Sequence, residues 1–211
     1  MLKISMKTLT NFMAKSTISR KTLVKNLKYP KSENKIPIVY YQKALSSIKK
    51  FHKDNLDVTF LQNQIKKIIK EADIAEKQGT KKWLMLNAVA IEHYIEFFSN
   101  KKYEILAMHR IASVFNNVVV SSTPDLYVKE REQHKLIKLD FSKDEPDEDI
   151  PAIITHLMFE AQNLLGLGIS PKNIVYMDVF RGNEYPLRIS KDLLNNITSA
   201  CDDFESIWNS I

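Results

Sequence analysis

The spacing of apolar residues changes near residue 100, and this change constrains the fold more than any other feature of the sequence. Up to Ser99 the apolar residues recur at helical spacing, most clearly between residues 82 and 99. From Tyr103 onward the chain is rich in β-branched residues and is interrupted by polar turns, which is typical of short strands. Helical spacing returns at residues 150–165 and again near the carboxyl terminus. The pattern therefore predicts an α+β (α/β) fold.

The predicted central sheet is mixed, contains an antiparallel meander and is flanked by helices, with a helical N-terminal extension. Its strands are expected around residues 104–120, 126–129, 135–141 and 174–180. We expect the helix at 150–165 to pack its apolar stripe on one face of this sheet. The 211 residues then divide into a basic helical N-terminal region (1–80) and an α/β core (81–211).

Composition excludes several classes of protein. The single Cys201 excludes a disulfide framework and a multi-cysteine zinc site. No apolar run reaches the ~18 residues that a membrane span requires. We therefore expect a soluble protein of a reducing compartment, the cytoplasm, with no membrane partner.

Charge is distributed unevenly along the chain. Residues 1–54 hold thirteen Lys and Arg against two acidic residues, whereas residues 144–211 hold four against twelve. A basic end is the pattern expected for contact with a polyanion, here DNA or RNA. The residues predicted to bind nucleic acid are Lys15, Arg20, Lys21, Lys25, Lys28 and Lys31. A solvated Lys-rich face and an organellar transit peptide are the alternatives.

Two aspartates are the candidate catalytic residues. The sequence has no phosphate-binding loop, no nucleophile elbow and no His-Glu-x-x-His zinc motif. Asp125 follows Pro124 at the start of a predicted strand, and Asp140 ends the next strand. Because the start and the end of neighbouring strands in a hairpin lie side by side, the two carboxylates could hold Mg²⁺ or Mn²⁺. Such a metal ion activates water and stabilises charge at a phosphodiester.

The sequence resembles the core of the PD-(D/E)xK, or restriction-endonuclease-like, nucleases in one stretch. This stretch consists of residues 124–128, a polar turn, and residues 135–142. The resemblance extends over roughly residues 82–189 through the order of elements. It implies a Mg²⁺-dependent phosphodiesterase with Asp125 and Asp140 as metal ligands. It also implies an acidic residue on the helix before the sheet, for which we select Glu92; Glu96 is also on that helix.

The sequence departs from this family pattern at one position. Ser142 stands where the family has the lysine that polarises the attacking water. Lys138 lies two residues before Asp140, hence on the same strand face, and is the predicted catalytic substitute. Lys143 is one residue too late and would face away. The resemblance therefore implies either a rearranged active site or an inactive relative that only binds.

Three functions are consistent with the sequence. The first is a metal-dependent nuclease, or an impaired relative that binds nucleic acid, and it also explains the basic N-terminal segment. The second is a non-enzymatic interaction protein that keeps the nuclease-like fold. The third is a helical nucleic-acid-binding module attached to an unrelated sheet domain. Whether the protein is an enzyme stays open at this point.

Overall fold

The computed structural model describes residues 1–30, 40–147 and 149–211. Its helices are α1 (Met6–Met13), α2 (Thr17–Lys28), α3 (Gln42–Lys53), α4 (Val58–Asp73), α5 (Gln78–Phe98), α6 (Asp149–Leu164) and α7 (Lys191–Ser210). Its strands are β1 (Leu2–Ser5), β2 (Glu104–Ile105), β3 (Ala112–Phe115), β4 (Val118–Ser121), β5 (Leu126–Glu130), β6 (Gln133–Asp140), β7 (Ile174–Asp178) and β8 (Asn183–Pro186). The predicted α+β class, with helices flanking a mixed sheet, is confirmed.

The larger sheet has five strands in the order β2-β5-β6-β7-β8. β5 and β6 form the predicted antiparallel hairpin, and β6 and β7 run parallel, with Asp140 in register with Asp178. Parallel neighbours need a crossover connection, and α6 provides it. The carboxyl ends of β6 and β7 therefore lie side by side at one edge of the sheet.

A second sheet separates the strands at 112–121 from the central sheet in which the sequence placed them. Its order is β1-β4-β3, and β1, at the N-terminus of the chain, runs parallel to β4. The polar connection between the two sheets is fixed locally, since Ser122 N–H donates to Ile111 O and Thr123 Oγ1 accepts from Ile111 N–H. β1 has only four residues, too few for alternation to be read from the sequence.

The central sheet separates two apolar cores. On one face α6 packs against the sheet, and α1, α2 and α7 complete an apolar core with buried residues such as Phe12, Leu157 and Phe204. The other face packs with α3, α4 and α5 through residues such as Ile48 and Ile91. The N-terminal 80 residues thus contribute helices to both cores. Of the stripe predicted for α6, Ile153, Leu157 and Ala161 are buried, whereas Leu164 at the end of the helix is 63% exposed.

Candidate functional site

The centre of the candidate site is an ion pair across the β5–β6 hairpin. Lys138 Nζ lies 3.1 Å from Asp125 Oδ1 and 3.0 Å from Asp125 Oδ2. The backbone N–H of Leu139 donates to the same carboxylate at 2.9 Å. Both side chains are partly buried, at 28% and 17% exposure for Lys138 and Asp125. The pair is therefore held more firmly than a solvated surface ion pair.

Asp140 projects from the same sheet face as Lys138, because side chains two residues apart on a strand point the same way. Burial raises the pKa of Asp140 above its ordinary value, and the nearby charge of Asp178 raises it further. Hydrogen bonds from the Tyr176 hydroxyl and the Ser142 N–H, together with Lys7, lower it in part. Burial and the neighbouring charge of Asp178 thus disfavour ionisation of Asp140 at this position.

Asp178 is fully buried beside Asp140, and its charge is neutralised locally. Its Oδ1 accepts from the N–H groups of Phe180 and Arg181 at 3.0 and 3.1 Å, and Arg181 Nη1 lies 2.9 Å from Oδ2. Gly182 closes this turn at a φ of 71°, where a Cβ would come within 2.6 Å of Phe97. Asp178 and Arg181 therefore fix the end of β7 and set the charge around Asp140.

The other residues predicted for the site lie elsewhere. Glu92 is exposed on α5, and the buried stripe of that helix packs against the opposite sheet face, so the structure does not bring Glu92 to Lys138 and Asp140. Ser142, in place of the family lysine, is exposed and reaches Asp140 through its backbone N–H at 3.0 Å. Lys143 is also exposed.

Carboxylate oxygens are the groups through which this site would hold a hard divalent cation such as Mg²⁺. Within residues 1–30, 40–147 and 149–211, no group of three or more His, Cys, Asp or Glu side chains is arranged to hold a metal ion. Asp125 and Asp140 supply carboxylate oxygens on this face, where the neighbouring Asp178 is already paired with Arg181. Mg²⁺ is commonly held by one or two carboxylates, with waters and substrate phosphate completing the shell. In that mode, a metal ion at Asp125 would compete with Lys138 for the carboxylate.

Two of the predicted nucleic-acid-binding residues make contacts within the protein. Arg20 donates from Nε to Phe12 O and from Nη2 to Met13 O, at the carboxyl end of α1. Lys28 Nζ donates to Trp208 O at 2.6 Å, at the end of α7. These cations stabilise helix ends, where unpaired carbonyls carry partial negative charge.

The remaining predicted cations are Lys15, Lys21 and Lys25, which are exposed on or beside α2. Lys31 lies outside the described residues. The polyanion contact expected from the sequence therefore depends on three described lysines, because the other two described cations are held internally.

The sequence did not single out Tyr176, Asp178 or Arg181. A usable signal was present, because Asp178 interrupts the apolar run of residues 174–180, and a charge within a buried segment needs a partner. Arg181, three residues later, is that partner. The sequence pattern could not place Lys7 near Asp140. Lys7 lies on α1, and its charge lowers the pKa of Asp140.

His156 on α6 is a buried structural residue. Its Nδ1 donates to Ala152 O at 3.2 Å, and its Nε2 accepts from the Ser190 N–H at 3.1 Å. Both ring nitrogens are thus used to join α6 to the start of α7. This residue is not available for catalysis.

No family model matches this chain, and comparison with curated proteins and with solved structures gave no significant match. In the part of the chain that the structure describes, no helix is long and apolar enough to cross a membrane.

Proposed function

We propose that this protein is a nuclease-like protein that engages a nucleic-acid phosphodiester through Asp125, Lys138 and Asp140. One observation carries the proposal: Lys138 and Asp140 share a sheet face, and Asp125 reaches that face to pair with Lys138. Carboxylates on opposite faces could not have acted on one phosphate. A divalent cation held by Asp125 and Asp140 would supply Lewis-acid stabilisation of the phosphate charge.

The protein's own residues have distinct tasks in this proposal. Lys138 holds a positive charge where the phosphate oxygens would lie, and the Leu139 N–H orients Asp125. Tyr176 and the Ser142 N–H orient Asp140. Ser142 supplies no charge, so Lys138 has to serve both Asp125 and the phosphate. This double demand predicts weak activity compared with a site that also has the family lysine.

The proposal is tested by cleavage of single- and double-stranded DNA and RNA in Mg²⁺ and in Mn²⁺. We expect Asp140→Asn to reduce cleavage by at least about 100-fold, because a neutral amide is a poor metal ligand. Thermal unfolding should show that the variant stays folded. Asp147→Asn, an exposed acidic change in the adjacent loop, is the matched control and should cleave like the parent.

Two further variants separate metal binding from phosphate contact. Lys138→Met removes the cation that competes at Asp125, so Mn²⁺ affinity should rise while cleavage falls. Ser142→Lys restores the family pattern and should raise cleavage. Should neither the parent nor the Ser142→Lys variant cleave or bind Mn²⁺, the nuclease-like proposal would be wrong.

The second candidate function is a non-enzymatic interaction protein on the same fold. The specific observation in its favour is that Asp125 and Asp178 already have internal cations, Lys138 and Arg181. A site neutralised in this way has less need for a metal. Nucleic-acid binding that is unchanged by chelation of divalent metal, with no cleavage in any variant, would support this alternative.

A further inference from the structure

A cleft of about 570 Å³ lies at the end of the β5–β6 hairpin remote from Asp125. Three parts of the chain form it: the end of α3, the segment between α5 and β2, and the hairpin turn. Lys129 on its wall is four residues along β5 from Asp125, about 13 Å at the usual strand rise. The cleft is therefore a separate site from the Asp125–Lys138 pair.

The lining of this cleft is basic. It includes Lys53, Lys101, Lys102, Lys129 and Arg131. Two carboxylates, Glu104 and Glu132, also line it, so five positive charges less two negative charges leave three. The carboxyl ends of α3 and α5 face the cleft and together offset about one charge, since each helix end carries roughly half a negative charge. Glu184, which pairs with Lys101 from outside the lining, removes one more charge, so a net positive charge of about one remains.

Pairing within the protein accounts for only part of these cations. Lys101 pairs with Glu184 and Lys129 with Glu132, both at 2.6 Å. The salt bridges of the described residues leave Lys53, Lys102 and Arg131 unpaired. All three are exposed. Their ammonium and guanidinium groups are free to meet an anion.

The backbone around the cleft turns sharply at two places, at the end of α3 and at the hairpin turn. Asn55, Arg131 and Glu132 line it with φ values of 47°, 48° and 65°, and they are three of the four described non-glycine residues with positive φ. Residues other than glycine rarely adopt this backbone conformation. Arg131 and Glu132 occupy a hairpin turn, where Asn-Gly is the favoured sequence.

We propose that this cleft binds phosphate groups, with Lys53, Lys102 and Arg131 as the contacting cations. Arg131 offers paired donors to phosphate oxygens, and the lysines act as point charges. His52 at the cleft wall donates to or accepts from the Tyr94 hydroxyl at 2.6 Å, and burial lowers its pKa to about 4. It is therefore neutral at pH 7 and adds no charge. The phosphate can belong to a nucleic-acid strand or to a small polyphosphate.

The test uses two probes on the full chain: inorganic triphosphate by calorimetry, and a fluorescein-labelled 20-nucleotide DNA by anisotropy. The triple variant Lys53→Gln/Lys102→Gln/Arg131→Gln should weaken the binding of at least one probe about tenfold. We expect about tenfold because three exposed contacts, each of modest strength, together have an effect of that size. A loss for DNA alone assigns the cleft to a strand, and a loss for triphosphate assigns it to a small ligand.

The matched control is Lys66→Gln/Lys67→Gln/Lys70→Gln, which removes the same charge from exposed positions on α4. It should change either affinity less than twofold. Equal losses in the two triple variants, or no binding of either probe to the parent at 20 mM salt, would overturn the proposal. Thermal unfolding of both variants confirms that they are folded. The proposal does not depend on cleavage at Asp125 and Asp140, so it can fail or succeed separately.

Discussion

At the scale of single residues, His52 shows how burial changes the chemistry of a side chain. It is 6% exposed on α3, contacts the rings of Phe51, Tyr94 and Tyr103, and shares a hydrogen bond with the Tyr94 hydroxyl. Burial lowers its pKa from 6.5 to about 4. The folded protein therefore keeps this imidazole neutral in a pH range where the unfolded chain protonates it.

This difference predicts a pH-dependent stability. His52 contributes its full stabilisation above pH 6.5, and the contribution is lost as the pH falls from 6.5 to about 4, because the unfolded state binds the extra proton. The free energy of unfolding falls by about 3 kcal/mol in total, because each unit of pKa difference corresponds to 1.36 kcal/mol. Urea unfolding at several pH values measures it. His52→Gln should flatten the slope in this window, and an unchanged slope would mean that His52 is protonated in the fold.

Single residues also show what sequence can and cannot locate in the site. The hairpin that carries Asp125 and the shared sheet face of Lys138 and Asp140 were predictable, because strand alternation and a short hairpin limit which side chains can meet. Glu92 was selected on helix position alone, and a helix can pack on either face of a sheet. Here α5 packs on the face opposite to Lys138. The local sequence pattern does not show which face of the sheet a helix will pack against.

At the scale of elements, helix ends are joined by cations that looked like surface charges in the sequence. Lys28, in the last turn of α2, reaches the carbonyls of Trp208 and Ile211 at 2.6 and 3.3 Å. Its ammonium also lies 5.6 Å from the Trp208 ring centroid. One side chain thus holds α2 to the end of α7.

We expect Lys28→Met to destabilise the fold by about 1 kcal/mol, because it removes a charge-assisted hydrogen bond to helix-end carbonyls and keeps the aliphatic packing. Lys25→Met is the matched control on the same helix. Lys25 is exposed, so its removal should cost less than about 0.5 kcal/mol. Urea denaturation of both variants measures the difference in the free energy of unfolding. Equal unfolding midpoints would show that Lys28 is only a surface charge.

The elements themselves were predictable to different degrees. The hairpin and the helix at 150–165 have long, regular patterns, and the structure has β5, β6 and α6 there. The split into two sheets was not predictable. It depends on the pairing of Leu2–Ser5 with Val118–Ser121 across more than a hundred residues, and pairing partners are chosen by tertiary packing rather than by local spacing.

At the scale of the whole molecule, the basic N-terminal segment and the acidic C-terminal segment lie against each other. Arg20 on α2 pairs with Asp203 on α7 at 3.5 Å. Asp202 and Glu205 on α7 also accept hydrogen bonds from the turn between β3 and β4. Part of the charge of the basic N-terminal segment is therefore paired within the protein. Fewer cations remain to contact a polyanion.

If the protein binds nucleic acid as proposed, this count sets the salt dependence of that binding. If Lys15, Lys21 and Lys25 each contact a phosphate, log K should fall with log[salt] at a slope of about −2 to −3, because each contact releases 0.7–0.9 counterion. Lys15→Glu/Lys21→Glu/Lys25→Glu should weaken binding and flatten the slope. Phosphate contacts carry no sequence information, so the loss should be similar for DNA of different sequence.

The control for the salt experiment carries the same change in net charge at another place. Lys66→Glu/Lys67→Glu/Lys70→Glu reverses three exposed charges on α4. Long-range repulsion weakens binding in both variants, but only the loss of direct contacts changes the number of counterions released. The slope should therefore flatten for the α2 variant and stay near that of the parent for the α4 variant. An equal slope for both variants would assign binding to the overall charge and not to α2.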